Sequence, residues 1–341
     1  MHVGFLLLYL NINQPCMTIE NLIEGIHTLV SHNVIGSKQA LSRYMGFRAE
    51  LFFEDYLVQR YSQYRILDGG IIISKDSAIS SLDNSVYITV VSQDAADYAD
   101  LYKSLSAVGF KQMFIVLYTD DSFSSRNVME FRDGAISLNV PALTVKQFNI
   151  DSGEFDLASE DITVITGLFK KNTERGKSRY PVSPESGKWL MDNLKFFSYS
   201  QLLKIYMTRL LFDGFIGFGL QKGKPSDIDF ILRRPDGRFR LLEIKEKDLT
   251  KNNTIGFGLD VPRLEDLARI SNTTGIDYFL VVRQINNQTD REFVSWKKIS
   301  IKDFEDGVEG AAKVKGGTGM RSIYSHNDTL ICPLELFDTL Q

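Results

Sequence analysis

Cysteine is almost missing from this chain. Its 341 residues include only two, Cys16 and Cys332, near opposite ends. Neither sits in a metal-ligand spacing, which argues against a disulfide scaffold or structural zinc site and points to a reducing, cytoplasmic setting. Histidine is equally sparse. His2, His27, His32 and His326 form no ligand pattern, and no motif supports Ser-His-Asp catalysis. An excess of basic residues is lacking too. The formal net charge is -4, and residues 1–150 carry roughly all of the negative excess. The chain as a whole therefore does not attract nucleic acid, and local basic patches must do any such work.

Long apolar runs are absent. Gly4–Leu10 is apolar but has no basic flank and falls far below the roughly 20 residues of a membrane span. It reads as a buried first strand or an extension ahead of Met17, and no membrane partner is expected. Phosphate-cradling loops are missing as well. Gly214–Gly223 lacks the GxxxxGK[ST] spacing, and Gly176-Lys177-Ser178 lacks its first glycine, so no nucleotide cofactor is expected.

What the chain does have is apolar content of 43%, enough for a sizeable core. Its length suggests two domains, or one large one. Apolar positions recur at helical spacing over residues 18–60, as in Leu22, Ile23, Ile26 and Leu29. Strands are expected at Gly70–Ile73, Val86–Val91, Met113–Tyr118 and Ala142–Phe148, with a helix near Ala95–Ser106. Residues 151–187 gather Lys170, Lys171, Arg175, Lys177 and Arg179 among Gly and Pro, and read as a basic linker or loop. A helix follows at Tyr199–Phe212. Next come strands Ile228–Leu232 and Phe239–Lys245, a helix from Pro262, and strands Tyr278–Val282 and Val294–Ile301. The expected division is an N-terminal α/β domain over 1–150, the linker over 151–187 and a second α/β domain over 188–341. Both halves run helix, strand, strand, helix, apolar strand, late strand, which suggests an ancient duplication.

The chemistry concentrates in Ser226–Asp248, SDIDFILRRPDGRFRLLEIKEKD. Pro235-Asp236-Gly237 is a turn signal, so the flanking strands form a hairpin whose facing residues have numbers summing to about 472. Asp229 then faces Glu243. Glu243 and Lys245 share a face because side chains alternate along a strand. Two or three carboxylates and one ammonium converge within an apolar strand pair. Such clustering is costly unless a cation relieves it, and oxygen ligands suit Mg²⁺. The blander reading, a structural salt-bridge ladder, stays open.

Asp-x(n)-Glu-x-Lys on a hairpin resembles the signature of the PD-(D/E)xK nuclease superfamily, which includes restriction endonucleases and Holliday-junction resolvases. SDIDFIL, GRFRLLEIK and the following LEDLARISNTTGIDYFLVV are similar to its core strands and the helix and strand after them. The resemblance covers roughly Tyr199–Phe304. It implies a restriction-endonuclease-like mixed β-sheet flanked by helices in the C-terminal half. It implies Asp229, Glu243 and the Ile244 backbone carbonyl as metal ligands, with Asp227 as the alternative carboxylate, and Lys245 beside the attacking water. The cofactor is then Mg²⁺, with Mn²⁺ as its substitute. The partner is DNA, double-stranded, and the chain is expected to act as a homodimer. The implied function is an endodeoxyribonuclease, foremost a restriction enzyme. A junction-resolvase-like nuclease and a catalytically dead DNA-binding module are the alternatives. Members often carry a helix-borne Glu ahead of the hairpin. Tyr199–Phe212 contains none, leaving Gln201 or Asp213 in that role. Lys170, Lys171, Arg175, Lys177, Arg179, Lys224, Arg263, Lys313, Lys315 and Arg321 are the candidate DNA contacts. In the first half, Thr89 and Val91 stand where Glu243 and Lys245 stand, and Asp68 alone remains. That half reads as a non-catalytic copy, or as an unrelated domain, serving DNA recognition or dimerisation.

Overall fold

The helical stretch at the start divides in two. α1 (Ile19–Ser31) begins at a reciprocal cap in which Thr18 and Asn21 satisfy each other's backbone. α2 (Ser37–Arg60) follows and is the longest helix. The structure, a computed structural model, describes residues 17–76, 82–131, 134–171, 181–222, 225–250, 254–315 and 328–340. After α2 come β1 (Arg65–Ser74), β2 (Ser85–Val91), α3 (Ala99–Leu105), β3 (Gln112–Phe131), β4 (Gly134–Asn149) and β5 (Glu154–Ser159). α4 (Thr163–Thr166), β6 (Lys170–Lys171), α5 (Pro184–Leu194), α6 (Tyr199–Arg209) and β7 (Leu220–Gln221) form the middle of the chain. The hairpin is β8 (Ser226–Arg233) and β9 (Phe239–Lys247). Beyond it lie β10 (Gly256–Asp260), α7 (Val261–Thr274), β11 (Asp277–Ile285), β12 (Phe293–Ser300), α8 (Ile301–Gly307), β13 (Val314–Lys315), β14 (Asp328–Pro333) and β15 (Asp338–Leu340). No helix of the described residues is long and apolar enough to cross a membrane.

Ten strands form one mixed sheet in the order β15-β12-β11-β9-β8-β1-β2-β3-β4-β5. The order is nearly symmetric about the β1–β8 pair. On each side an antiparallel hairpin leads through a helix to a parallel strand, and an antiparallel strand follows. This order parallels the echo between the halves in the sequence. The expected division at 151–187 does not appear in the sheet, because β1 hydrogen-bonds to β8 along its length.

Residues 151–171 also differ from the linker expectation. β5 extends the sheet edge, with Phe155 packed on Tyr102 and Phe148. Ile162, Ile165 and Phe169 are buried. The basic residues drew attention away from this apolar spacing. Arg175, Lys177 and Arg179 lie outside the described residues.

Helices cover both faces of the sheet. α1, α2, α5 and α6 share one apolar layer with β1–β4, and Phe53 and Leu57 of α2 extend it over Phe230, Leu242, Ile244 and Trp296. α3, α7 and α8 pack on the opposite face, with Tyr87, Leu241, Leu280 and Val282. Each half's leading helix lies over the other half: α2 packs on β9, and α6 on β2. The sheet is therefore sealed across its midline by helices as well as by strand pairing.

Candidate metal centre

The hairpin has the register its turn implied. Phe230 faces Leu242 and Arg233 faces Phe239. The strand pairing ends at Phe230, one residue short of Asp229. Beyond that point the Ile244 N–H donates to the Asp229 carboxylate at 2.6 Å. Across the midline, β1 approaches so closely that a Cβ on Gly69 would lie 1.6 Å from the Ile228 carbonyl oxygen, so only glycine fits. The facing order also breaks here in both strands. Leu67 and Ile72 lie in the α3 and α7 layer although five positions separate them, as do Ile228 and Ile231 at three. A regular strand would put such pairs on opposite faces.

At this break Asp227, Asp229 and Glu243 bring carboxylate oxygens within 4.8 Å of one another. Glu243 is fully buried, which explains its need for partners. Arg263 of α7 donates through Nε to Glu243 Oε1 at 3.0 Å and through Nη2 to Oε2. Lys245 Nζ reaches Oε1 at 2.6 Å. Burial opposes the charged form of Glu243, but Arg263 and Lys245 outweigh it and hold the carboxyl below its ordinary value. Arg263 also contacts the Asp227 carboxylate, its carbonyl and the Ser226 hydroxyl. Its placement departs from the expectation of a DNA contact: its guanidinium is spent on the acidic cluster.

The helix-borne carboxylate is also present, on a helix the hairpin's own neighbourhood does not reveal. Glu50 comes from α2. Burial, then the charge of Asp227, push its carboxyl up to about 7, with Glu243 adding to the effect. Burial, then Glu243, raise Asp229 well above the usual carboxylate range. Lys245 is held protonated: burial opposes its charge, and Glu243 and Asp229 more than offset that. Asp213 does not take the role considered for it. It is buried in ion pairs with Arg43 and Arg209. Gln201 caps α6 and donates to Asp55 at 2.8 Å.

Asp229, Lys245 and Glu50 line a cavity of about 800 Å³ that crosses the midline and also meets Asp68, Lys204 and Arg291. Further along β9, Glu246 holds three guanidiniums: Arg283 at 2.7 Å, Arg291 at 2.6 Å and Arg48 at 3.3 Å. Of these, Glu246 and Arg291 line the cavity. Lys247 also lines the cavity, and burial followed by the charge of Lys245 lowers its ordinary value.

The other expected contacts are elsewhere. Lys170, Lys171 and Lys315 are exposed on short strands, Lys313 is exposed just ahead of one, and none of the four lines the cavity. Lys224 and Arg321, like the three basic residues of 172–180, lie outside the described residues. The cavity cations Lys204 and Arg291 were missed because they are scattered through the sequence rather than clustered.

The donor set fits a hard divalent cation. Every candidate ligand is oxygen, and no cysteine or histidine takes part. With all four acids ionised, Asp227, Asp229, Glu243 and Glu50 face Arg263, Lys245 and Arg209, leaving one negative charge. Glu243 Oε2 accepts from Arg263 alone and keeps a free lone pair.

Comparison with protein-family models, with curated proteins and with solved structures finds no match for this chain.

Proposed function

We propose that this protein is a metal-dependent phosphodiesterase acting on DNA, with a restriction-endonuclease-like core formed around β8 and β9. The observation that carries the reading is the convergence of Asp227, Asp229 and Glu243 beside Lys245. This supports the resemblance drawn from the hairpin motif, and Glu50 supplies the helix-borne carboxylate that the local sequence lacks.

Asp229 and Glu243, with Asp227 or Glu50, would hold Mg²⁺, or Mn²⁺ in its place. Such a cation lowers the pKa of water and neutralises charge developing on phosphoryl oxygens. The chain's own groups do the rest. Lys245, held as an ammonium by Glu243 and Asp229, orients the attacking water and adds positive charge near the phosphate. Arg263 fixes the Glu243 carboxylate from behind. Lys247 and Arg291 on the cavity wall offer positive charge to the flanking phosphates. Water attacks phosphorus in line with the leaving oxygen, and no covalent protein intermediate is required.

The test is incubation with supercoiled, branched and single-stranded DNA, in Mg²⁺ and then in EDTA. Cleavage is expected in Mg²⁺ only, and Asp229→Asn is expected to lose it. Discrete fragments identify a restriction enzyme, and cleavage confined to branched DNA identifies a resolvase. Binding of DNA without cleavage of any form refutes the catalytic reading.

A further inference from the structure

We infer that this chain is an internal pair of nuclease-like units of which only one cuts, so that each encounter with duplex DNA breaks one strand. The inference rests on the phosphodiesterase reading and adds the product it makes. The sheet repeats hairpin, helix, parallel strand and antiparallel strand on either side of the β1–β8 pair. The two units meet antiparallel at their first strands, and both reach the one cavity.

Their chemistry is unequal. On β9 the face toward α7 carries Glu243 and Lys245. On β2 the face toward α3 carries Tyr87, Thr89 and Val91, with neither a carboxylate nor a lysine. Thr89 instead accepts a hydrogen bond from Tyr102 at 2.9 Å. β1 keeps Asp68, and Lys204 of α6 pairs with one oxygen of its carboxylate at 2.7 Å and with Glu54 at 2.7 Å. Among the described residues, the first unit lacks the cluster of three carboxylates that would hold a divalent cation at the second. Breaking both strands in one encounter takes two centres, and a single chain supplies one.

Two measurements test this together. Titration of the protein with Mn²⁺, followed by the spectrum of the free ion, should show one ion bound per chain, and Asp229→Asn should remove it. Two equivalent ions per chain would overturn the single-centre inference, whereas none would overturn the phosphodiesterase reading beneath it. With enzyme in excess over supercoiled plasmid, at a concentration where sedimentation shows a monomer, open circles should accumulate before linear DNA appears. Linear DNA forming without that lag would refute the one-strand product while leaving the metal chemistry intact.

Discussion

Replacing Glu50 by glutamine should have opposite effects on stability and on cation binding. In the metal-free protein Glu50 has a carboxyl raised from 4.5 to about 7, because ionising it means burying charge beside Asp227 and Glu243. At about 1.36 kcal/mol per tenfold change, the ionised side chain costs the fold roughly 3 kcal/mol. The sign follows from proton binding. Between pH 4.5 and about 7 the folded state holds a proton that the unfolded state has released, so stability falls as pH rises through this window. Below the window Glu50 and glutamine are nearly equivalent. Above it the variant should be more stable by up to about 3 kcal/mol. Unfolding entropy of about 2.1 cal/mol/K per residue converts this to a rise in Tm of roughly 4 °C. Divalent cation affinity should move the other way, since one carboxylate is lost. Thermal melts of both proteins at pH 5.5 and 8.5, with EDTA and with Mg²⁺, read both effects. A Tm difference that is the same at both pH values would refute the buried-charge account of Glu50.

Other consequences follow from the same contacts. Arg263→Gln removes the main counter-charge of fully buried Glu243, and urea unfolding should show a loss of about 3–5 kcal/mol, the range for breaking a buried pair. Lys245→Ala should abolish cleavage in a plasmid assay while far-ultraviolet circular dichroism stays native, because its ammonium acts at the cavity rather than in the apolar core. Residues 188–341 expressed alone should not give a native, monomeric fold. They would lack β1 beside β8 and the α2 cover over Phe230 and Ile244, and a sharp, dispersed NMR spectrum from that fragment would contradict the shared core.

The parts of this protein readable from sequence are those set by neighbours along the chain. The hairpin register needed only Pro235-Asp236-Gly237 and the alternation on either side, and the observed pairing of Phe230 with Leu242 agrees. That register alone placed Asp229 near Glu243. Helices at 18–60 and 261–274 and the large sheet's strands other than its edges β5 and β15 were legible from apolar periodicity, and so was the order that the halves share. Tertiary structure decided the rest, because it depended on pairings between distant segments. Nothing near the hairpin revealed that a helix from the other half would cover β9 and bring Glu50 to the acidic cluster. Arg263 looked like an exposed helical cation, and only the packing of α7 showed it serving a buried carboxylate. The joining of two halves into one sheet was equally hidden. An edge strand carries unpaired backbone groups along its whole length, and the sequence does not say which distant strand will satisfy them.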